Sequence, residues 1–157
     1  MDDLDKIYRH ITLVQQNVKL LADRLRERNK AGDEILAWQI MAEGMKHDVS
    51  KFNGIERLYL NEETKQKHPD RFKLALEQHQ SSNPHHPEFW KNGILDMTNV
   101  HLAEMVCDWY ARSIEFGTDL RSWVNDVALP KYKIKPNSKK GKIIQTFINL
   151  LLDKPFN

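Results

Sequence analysis

Apolar residues recur every three or four positions along the N-terminal part of the chain. The series is Leu4, Ile7, Ile11, Val14, Val18, Leu21 and Leu25. This spacing keeps the residues on one side of a helix and predicts an amphipathic N-terminal helix that ends near Gly32. We expect the apolar stripe to pack on the rest of the domain, and the same spacing also allows a homodimer through this helix.

The rest of the chain alternates helical apolar patterns with turn signals. Further helices are predicted from Asp33 to about His47, over 55–60, from Asp70 to about His79, from Asp96 or Thr98 to Gly117, over 119–127 and over 143–152. Residues 61–69 and the basic segment 130–141 are predicted as loops, and Pro84 and Pro87 bracket a histidine-rich loop. Because no segment has the alternation typical of strands, we predict one all-α domain of roughly six helices spanning 1–157.

Composition narrows the function classes. The chain is 40% hydrophobic and 29% charged with a net charge of +2, so nothing in its charge favours nucleic-acid binding. The lysines of the basic loop are expected to be solvated; they are Lys131, Lys133, Lys135, Lys139, Lys140 and Lys142. The chain has one cysteine, an acidic N-terminus and no apolar run long enough to span a bilayer. We therefore expect a cytoplasmic protein without a membrane partner.

The candidate chemistry starts at the adjacent pair His47–Asp48, near the end of the second predicted helix. An imidazole and a carboxylate together suit Mn, Fe, Co, Ni, Zn or Mg, and they exclude a site built from soft thiolate ligands. Adjacent helical residues point about 100° apart, so both can reach one ion only where the chain bends or other helices assist. The helix-breaking segment 49–54 can supply such a bend.

Other polar residues lie where the helical pattern turns them inward. His10 flanks the apolar stripe of the first helix. His101, Glu104 and Asp108 are spaced i, i+3 and i+7 along the long predicted helix, and Arg112 continues the row by one turn. Each residue alone has an ordinary explanation, for example an ion pair between Asp108 and Arg112, but together they form a candidate ligand set.

The order of these residues along the chain resembles the HD-domain superfamily of metal-dependent phosphohydrolases, which are all-helical proteins. In that superfamily a histidine from an early helix, an adjacent His-Asp pair and an aspartate from a late helix hold a metal ion. The resemblance therefore implies an HD-like helical bundle. It also implies four metal ligands, His10, His47, Asp48 and Asp108.

A closer resemblance covers most of the chain and links it to small uncharacterised proteins of bacteria and tailed phages. The combination that carries it is His47-Asp48-x-Ser50-Lys51-Phe52, then Glu56 and Tyr59, then His79, then Asn83-Pro84-His85-His86-Pro87-Glu88-x-Trp90, then Glu104-Met105-x-x-Asp108-Trp109. Its first segment is similar to the His-Asp-x-Gly-Lys segment frequent in HD proteins, with Ser50 in place of glycine. A phage-encoded relative would act in the cytoplasm of its host.

Some HD proteins bind further metals through histidines between the His-Asp pair and the last aspartate, which implies one or two divalent ions here. The further ligands expected are His79 and His86. The catalytic residues expected are Lys51, Glu56 and His85. The substrate-binding residues expected are Lys51, Asn83 and Arg112. Which of His85 and His86 faces the site stays open.

The expected function is metal-dependent hydrolysis of a nucleotide or another small phosphate ester. A divalent ion would activate water, and Lys51 would offset the charge that develops on the phosphoryl oxygens. Glu56 or a loop histidine would orient the water or protonate the leaving oxygen, and Trp90 or Trp109 could stack on a base. The alternative is a non-catalytic metal- or nucleotide-binding protein, such as a phage-type inhibitor or a sequestering protein.

Overall fold

The computed structural model describes residues 2–153, which form helices and turns without a β-strand. The helices are α1 (Asp3–Arg28), α2 (Asp33–Lys46), α3 (Gly54–Tyr59), α4 (Glu62–Lys67), α5 (Pro69–Ser82), α6 (Asn99–Phe116), α7 (Leu120–Trp123), α8 (Leu129–Lys131) and α9 (Lys139–Leu152). Short 3₁₀ turns cover Val49–Phe52, Pro87–Phe89 and Gly93–Leu95, and a π-helical turn at Val124–Ala128 joins α7 to α8. The predicted all-α bundle is confirmed; Met1 and residues 154–157 of the predicted domain lie outside the described residues.

The core lies where α1 packs against α2, α6 and α9. The apolar stripe of α1 is fully buried there from Val14 to Leu25, as the intramolecular alternative predicted. This part of the stripe therefore leaves no free surface for the homodimer that the same spacing allowed. Among residues 2–153, no helix is both long enough and apolar enough to cross a bilayer.

Two predicted loops are partly helical. Residues 61–69 contain α4, because the Asn61 side chain caps the helix by accepting a hydrogen bond from the Thr64 backbone N–H at 2.8 Å. The basic segment 130–141 is irregular only in its middle, because Ser138 caps α9 in the same way. Both helices start at polar caps rather than at apolar residues, so the spacing of apolar residues does not mark where they begin.

An ion pair closes the turn between α1 and α2. Arg28 donates to both carboxylate oxygens of Asp33, at 2.9 and 2.7 Å, and the Lys30 backbone N–H donates to the same carboxylate at 2.9 Å. The Asp33 side chain is only 5% exposed. These hydrogen bonds, chiefly those from Arg28, lower the pKa of Asp33.

We expect Asp33→Asn to lower the free energy of unfolding by about 1.5–3 kcal/mol at pH 7, the range for hydrogen bonds to charged groups. Because the folded-state pKa of Asp33 is lowered, its carboxylate stabilises the protein above the unfolded-state pKa of about 3.9. That contribution is lost as the pH falls through the lowered folded-state pKa. Urea unfolding should therefore give a smaller difference between wild type and variant at pH 3 than at pH 7.

The matched control is Glu34→Gln, because Glu34 lies next to Asp33 on α2 but its side chain is 63% exposed. Its exposed pairing with Arg26 should contribute less than about 1 kcal/mol. An Asp33→Asn penalty that does not change between pH 7 and pH 3 would contradict the assignment to the carboxylate.

Candidate metal centre

The bend predicted after His47–Asp48 is present. Helix α2 ends at Lys46, and Asp48 has a φ of +56°, in the left-handed region that side-chain-bearing residues rarely adopt. The chain then enters the 3₁₀ turn Val49–Phe52. Both side chains of the pair turn into the protein, where His47 and Asp48 are each 1% exposed. A strained residue at such a point is a common feature of functional sites.

One face of Asp48 meets residues of α1 and α6 and His47, the residue that follows α2. His10 Nε2 lies 3.5 Å from Asp48 Oδ2 and 3.0 Å from Asp108 Oδ1. His47 Nε2 lies 3.5 Å from the same Asp48 oxygen. Ligand atoms of His10, His47 and Asp108 all lie within 4.8 Å of one another. The structure therefore brings together the four residues that the HD resemblance implies as ligands.

The other face of Asp48 meets the end of α5 and the histidine-rich loop. Asp48 Oδ1 lies 3.4 Å from His79 Nε2 and 3.3 Å from His85 Nε2. His86 Nε2 lies 3.0 Å from His79 Nε2. Both loop histidines belong to this group, so His85, expected in catalysis, lies among the candidate ligands together with His86. We call the whole set the central cluster: His10, His47, Asp48, His79, His85, His86 and Asp108.

Several atoms of the central cluster are buried without a well-directed hydrogen bond. They are His10 Nε2, His47 Nε2, Asp48 Oδ1, His85 Nε2 and Asp108 Oδ1. A buried polar atom without a partner costs about 1–3 kcal/mol, so such atoms are rare in native proteins. Here they belong to residues whose ligand atoms lie within 4.8 Å of one another in two groups. Their imidazole and carboxylate chemistry fits a divalent metal ion, and these residues could hold one.

A second layer of carboxylates holds the histidines from outside. The contacts to Nδ1 are His10–Glu115 at 3.3 Å, His47–Glu104 at 2.9 Å, His79–Glu56 at 2.9 Å and His85–Glu104 at 3.3 Å. A carboxylate on Nδ1 fixes the ring orientation and the tautomer, which leaves Nε2 free to bind a metal. Metal-ligating histidines usually have this arrangement.

Lys51 and Glu56, both expected in catalysis, lie at different depths. Lys51 Nζ is 2.6 Å from Asp48 Oδ2, and its side chain is 12% exposed, so it reaches the rim of the central cluster. Glu56 is buried and accepts hydrogen bonds at its Oε2 from Ser50 Oγ at 2.8 Å and from His79. Glu56 is therefore placed to position His79 rather than to meet a substrate.

The two other residues expected to bind substrate contact Ser50, His79 and Glu115 instead, inside and around the second layer. Asn83 Nδ2 donates to Ser50 Oγ at 3.0 Å and to the His79 carbonyl at 2.8 Å. Arg112 donates to Glu115 at 3.0 Å. The ion pair considered between Asp108 and Arg112 is wrong, because Asp108 turns inward towards His10 while Arg112 stays 47% exposed.

Sequence reasoning did not assign a role to three supporting residues. The sequence places Glu104 in the row on α6 but does not indicate that it contacts two histidines. Glu115 continues that row, seven residues after Asp108, so the same spacing could have found it. Ser50 stands in the His-Asp segment, but nothing in the sequence indicates its hydrogen bond to Glu56.

The protonation states of the central cluster differ by position. Burial lowers the pKa of His79 to about 4 and that of His86 to about 3, so both rings are neutral at pH 7, the form that binds metals. Burial also opposes charge on His85, but the nearby carboxylates of Asp48 and Glu104 outweigh it and raise its pKa to about 10, so a metal ion that binds His85 would have to displace this proton. Asp48 and Asp108 are likewise buried, yet nearby histidines hold their pKa well below the usual range.

We expect Glu104→Gln to weaken divalent-metal binding by about 10–100-fold, the usual effect of losing an outer-layer carboxylate. The physical reason is that Glu104 orients both His47 and His85. Calorimetric titration of the metal-free chain with Mn²⁺ or Co²⁺ measures the effect. Glu77→Gln, an exposed position on α5, is the control, and equal affinities in all three proteins would contradict the role of Glu104.

Comparison with known proteins identifies a family but no activity. No curated protein and no solved structure matches the chain. A family of unknown function, DUF5662, matches residues 1–150, which is nearly the whole sequence. The match includes every residue of the central cluster and of its supporting carboxylates. The chain therefore belongs to the DUF5662 family.

Proposed function

We propose that this protein is a metal-dependent phosphohydrolase that acts on a small phosphate ester. The observation that carries the proposal is the set of buried ligand atoms around Asp48 that lack a well-directed hydrogen bond, with Lys51 at their rim. The order of the ligands along the chain is the order that resembles the HD-domain superfamily. We therefore assign to this ligand set the hydrolytic role that the resemblance implies.

We further propose that two divalent ions share Asp48. Its two oxygens face different groups: Oδ2 faces His10 and His47, while Oδ1 faces His79 and His85. Each group thus combines imidazole nitrogens with carboxylate oxygen. Imidazole-rich sites suit Mn, Fe, Co, Ni or Zn better than Mg, which prefers oxygen ligands and water.

A divalent ion bound here would lower the pKa of a water molecule and polarise a phosphoryl oxygen. Lys51 would bind a phosphoryl oxygen and offset the negative charge that grows on it during hydrolysis. Glu56 would act on the reaction only through His79, whose ring it holds. Outer carboxylates on the other histidines would keep the ligands in place and avoid reorganisation during the reaction.

The two tryptophans considered for stacking on a base make other contacts within the protein. Trp90 Nε1 donates to the Pro84 carbonyl at 2.8 Å. Trp109 is 8% exposed and packs against Trp123 and Tyr132. We therefore favour a substrate that is recognised by its phosphate group over one recognised through a nucleobase.

We expect the metal-loaded protein to hydrolyse at least one member of a panel of phosphomonoesters and nucleotides with Mn²⁺, Co²⁺ or Ni²⁺. Asp48→Asn and Asp108→Asn should abolish turnover because each removes a ligand oxygen. Asp23→Asn, on the exposed side of α1 with a side chain 42% exposed, should leave turnover unchanged. A folded, metal-loaded protein without turnover on any phosphate ester would overturn the proposal.

We expect Lys51→Met to lower kcat by about 10²–10³-fold, the usual effect of removing one group that stabilises transition-state charge. The amount of bound metal should stay the same. Lys73→Met is the control, because the Lys73 side chain is 75% exposed and pairs with Glu77 on the surface of α5. A kcat that is unchanged in Lys51→Met would show that Lys51 only neutralises Asp48.

The burial of the central cluster favours one second candidate function, a structural metal site. The side chains of His10, His47, Asp48 and His85 are 0–2% exposed, so an ion among them would be closed off from solvent. Structural sites are closed in this way, whereas catalytic sites keep an open position. A metal that raises Tm strongly but supports no turnover would favour this second function.

A further inference from the structure

We propose that a separate divalent-cation site lies on the outer side of Glu104, formed by Glu43, His101 and Glu104. We call it the outer site. Each of the three residues offers one ligand atom, and these atoms lie within 4.8 Å of one another. Neither Glu43 nor His101 belongs to the central cluster, so the outer site does not depend on the proposed hydrolase activity.

The geometry around His101 repeats that of the central cluster. His101 Nδ1 is buried without a hydrogen-bond partner. It lies 3.6 Å from Glu104 Oε2, slightly too far for a hydrogen bond. His47 Nε2 and Asp48 Oδ2 lie 3.5 Å apart in the same way. In both places a ring nitrogen faces a carboxylate oxygen at a distance that suits two ligands of one ion.

Two helices and an aromatic ring hold the outer site. His101 and Glu104 are one turn apart on α6, and Glu43 comes from α2, which packs against α6. The His101 ring packs on Trp90, with ring centroids 5.7 Å apart, and Trp90 is fixed by its hydrogen bond to Pro84. The ligands are therefore positioned before any cation arrives.

One imidazole and two carboxylates suit a cation such as Zn²⁺, Co²⁺ or Mn²⁺. The outer site is more open than the central cluster, because the side chains of His101 and Glu43 are 17% and 24% exposed. Lys46 Nζ also pairs with Glu43 at 3.0 Å and would compete with the cation. We therefore expect weaker, exchangeable binding at the outer site.

Glu104 connects the outer site to the central cluster. Its Oε1 contacts His47 Nδ1 at 2.9 Å and His85 Nδ1 at 3.3 Å, while its Oε2 faces His101. A cation on Oε2 would draw electron density from the carboxylate and weaken its hold on both rings. Occupancy of the outer site would thus alter the ligands of the central cluster without entering it.

The test is a titration of the full, metal-free chain with Co²⁺, followed by calorimetry and visible absorption. Wild type should bind Co²⁺ tightly at the central cluster and one further equivalent of Co²⁺ more weakly at the outer site. His101→Gln and Glu43→Gln should each lose the weaker equivalent and keep the tight ones. The controls are His68→Gln, at an exposed histidine between α4 and α5, and Glu34→Gln, at an exposed glutamate of α2. Both variants should bind Co²⁺ like wild type.

The outer site is overturned if wild type has no weaker equivalent, or if that equivalent survives in both His101→Gln and Glu43→Gln. Glu43 is partly exposed, so its variant tests the site even if His101→Gln fails to fold. Failure of the proposed function has a different signature. In that case turnover is absent, or the tight equivalents survive Asp48→Asn, whatever happens to the weaker one.

Discussion

The carboxylate of Asp48 is the group on which the arrangement of the centre depends. One of its oxygens faces His10 and His47, and the other faces His79 and His85. The backbone reaches this position only by entering the left-handed region immediately after α2. Such strain costs of order 1–3 kcal/mol and persists only where surrounding contacts enforce it. Lys51, three residues later, pairs with the same carboxylate and helps to hold the backbone of Asp48 in this conformation.

The fold brings the two groups of ligands to Asp48 by different means. The first group rests on the packing of α1 against α2 and α6. The second rests on α5 and the proline-bracketed loop, where Asn83 ties the chain to Ser50 and to the His79 carbonyl. Glu104 contacts histidines of both groups, so one outer carboxylate couples them.

The sequence predicted the helical class and the bend after His47–Asp48 from local signals, and the HD resemblance implied the candidate ligands through their order along the chain. The sequence could not predict that His85 and His86 both turn inward, since that depends on how the loop lies over α6. The roles of Glu104 and Glu115 depend likewise on the packing of α6 against α1 and α2. The missed helix α4 shows the same limit, because its cap is a single polar residue, Asn61.

A crystal structure of the chain grown with Mn²⁺ or Co²⁺, with anomalous scattering collected at the metal edge, tests most directly whether metal ions bind on both sides of Asp48. We expect two anomalous peaks, one on each side of Asp48. One peak should be bound by His10, His47 and Asp108, and the other by His79, His85 and His86. A central cluster without an anomalous peak under saturating metal, or a metal bound there without Asp48, would contradict the assignment of Asp48 as the shared ligand.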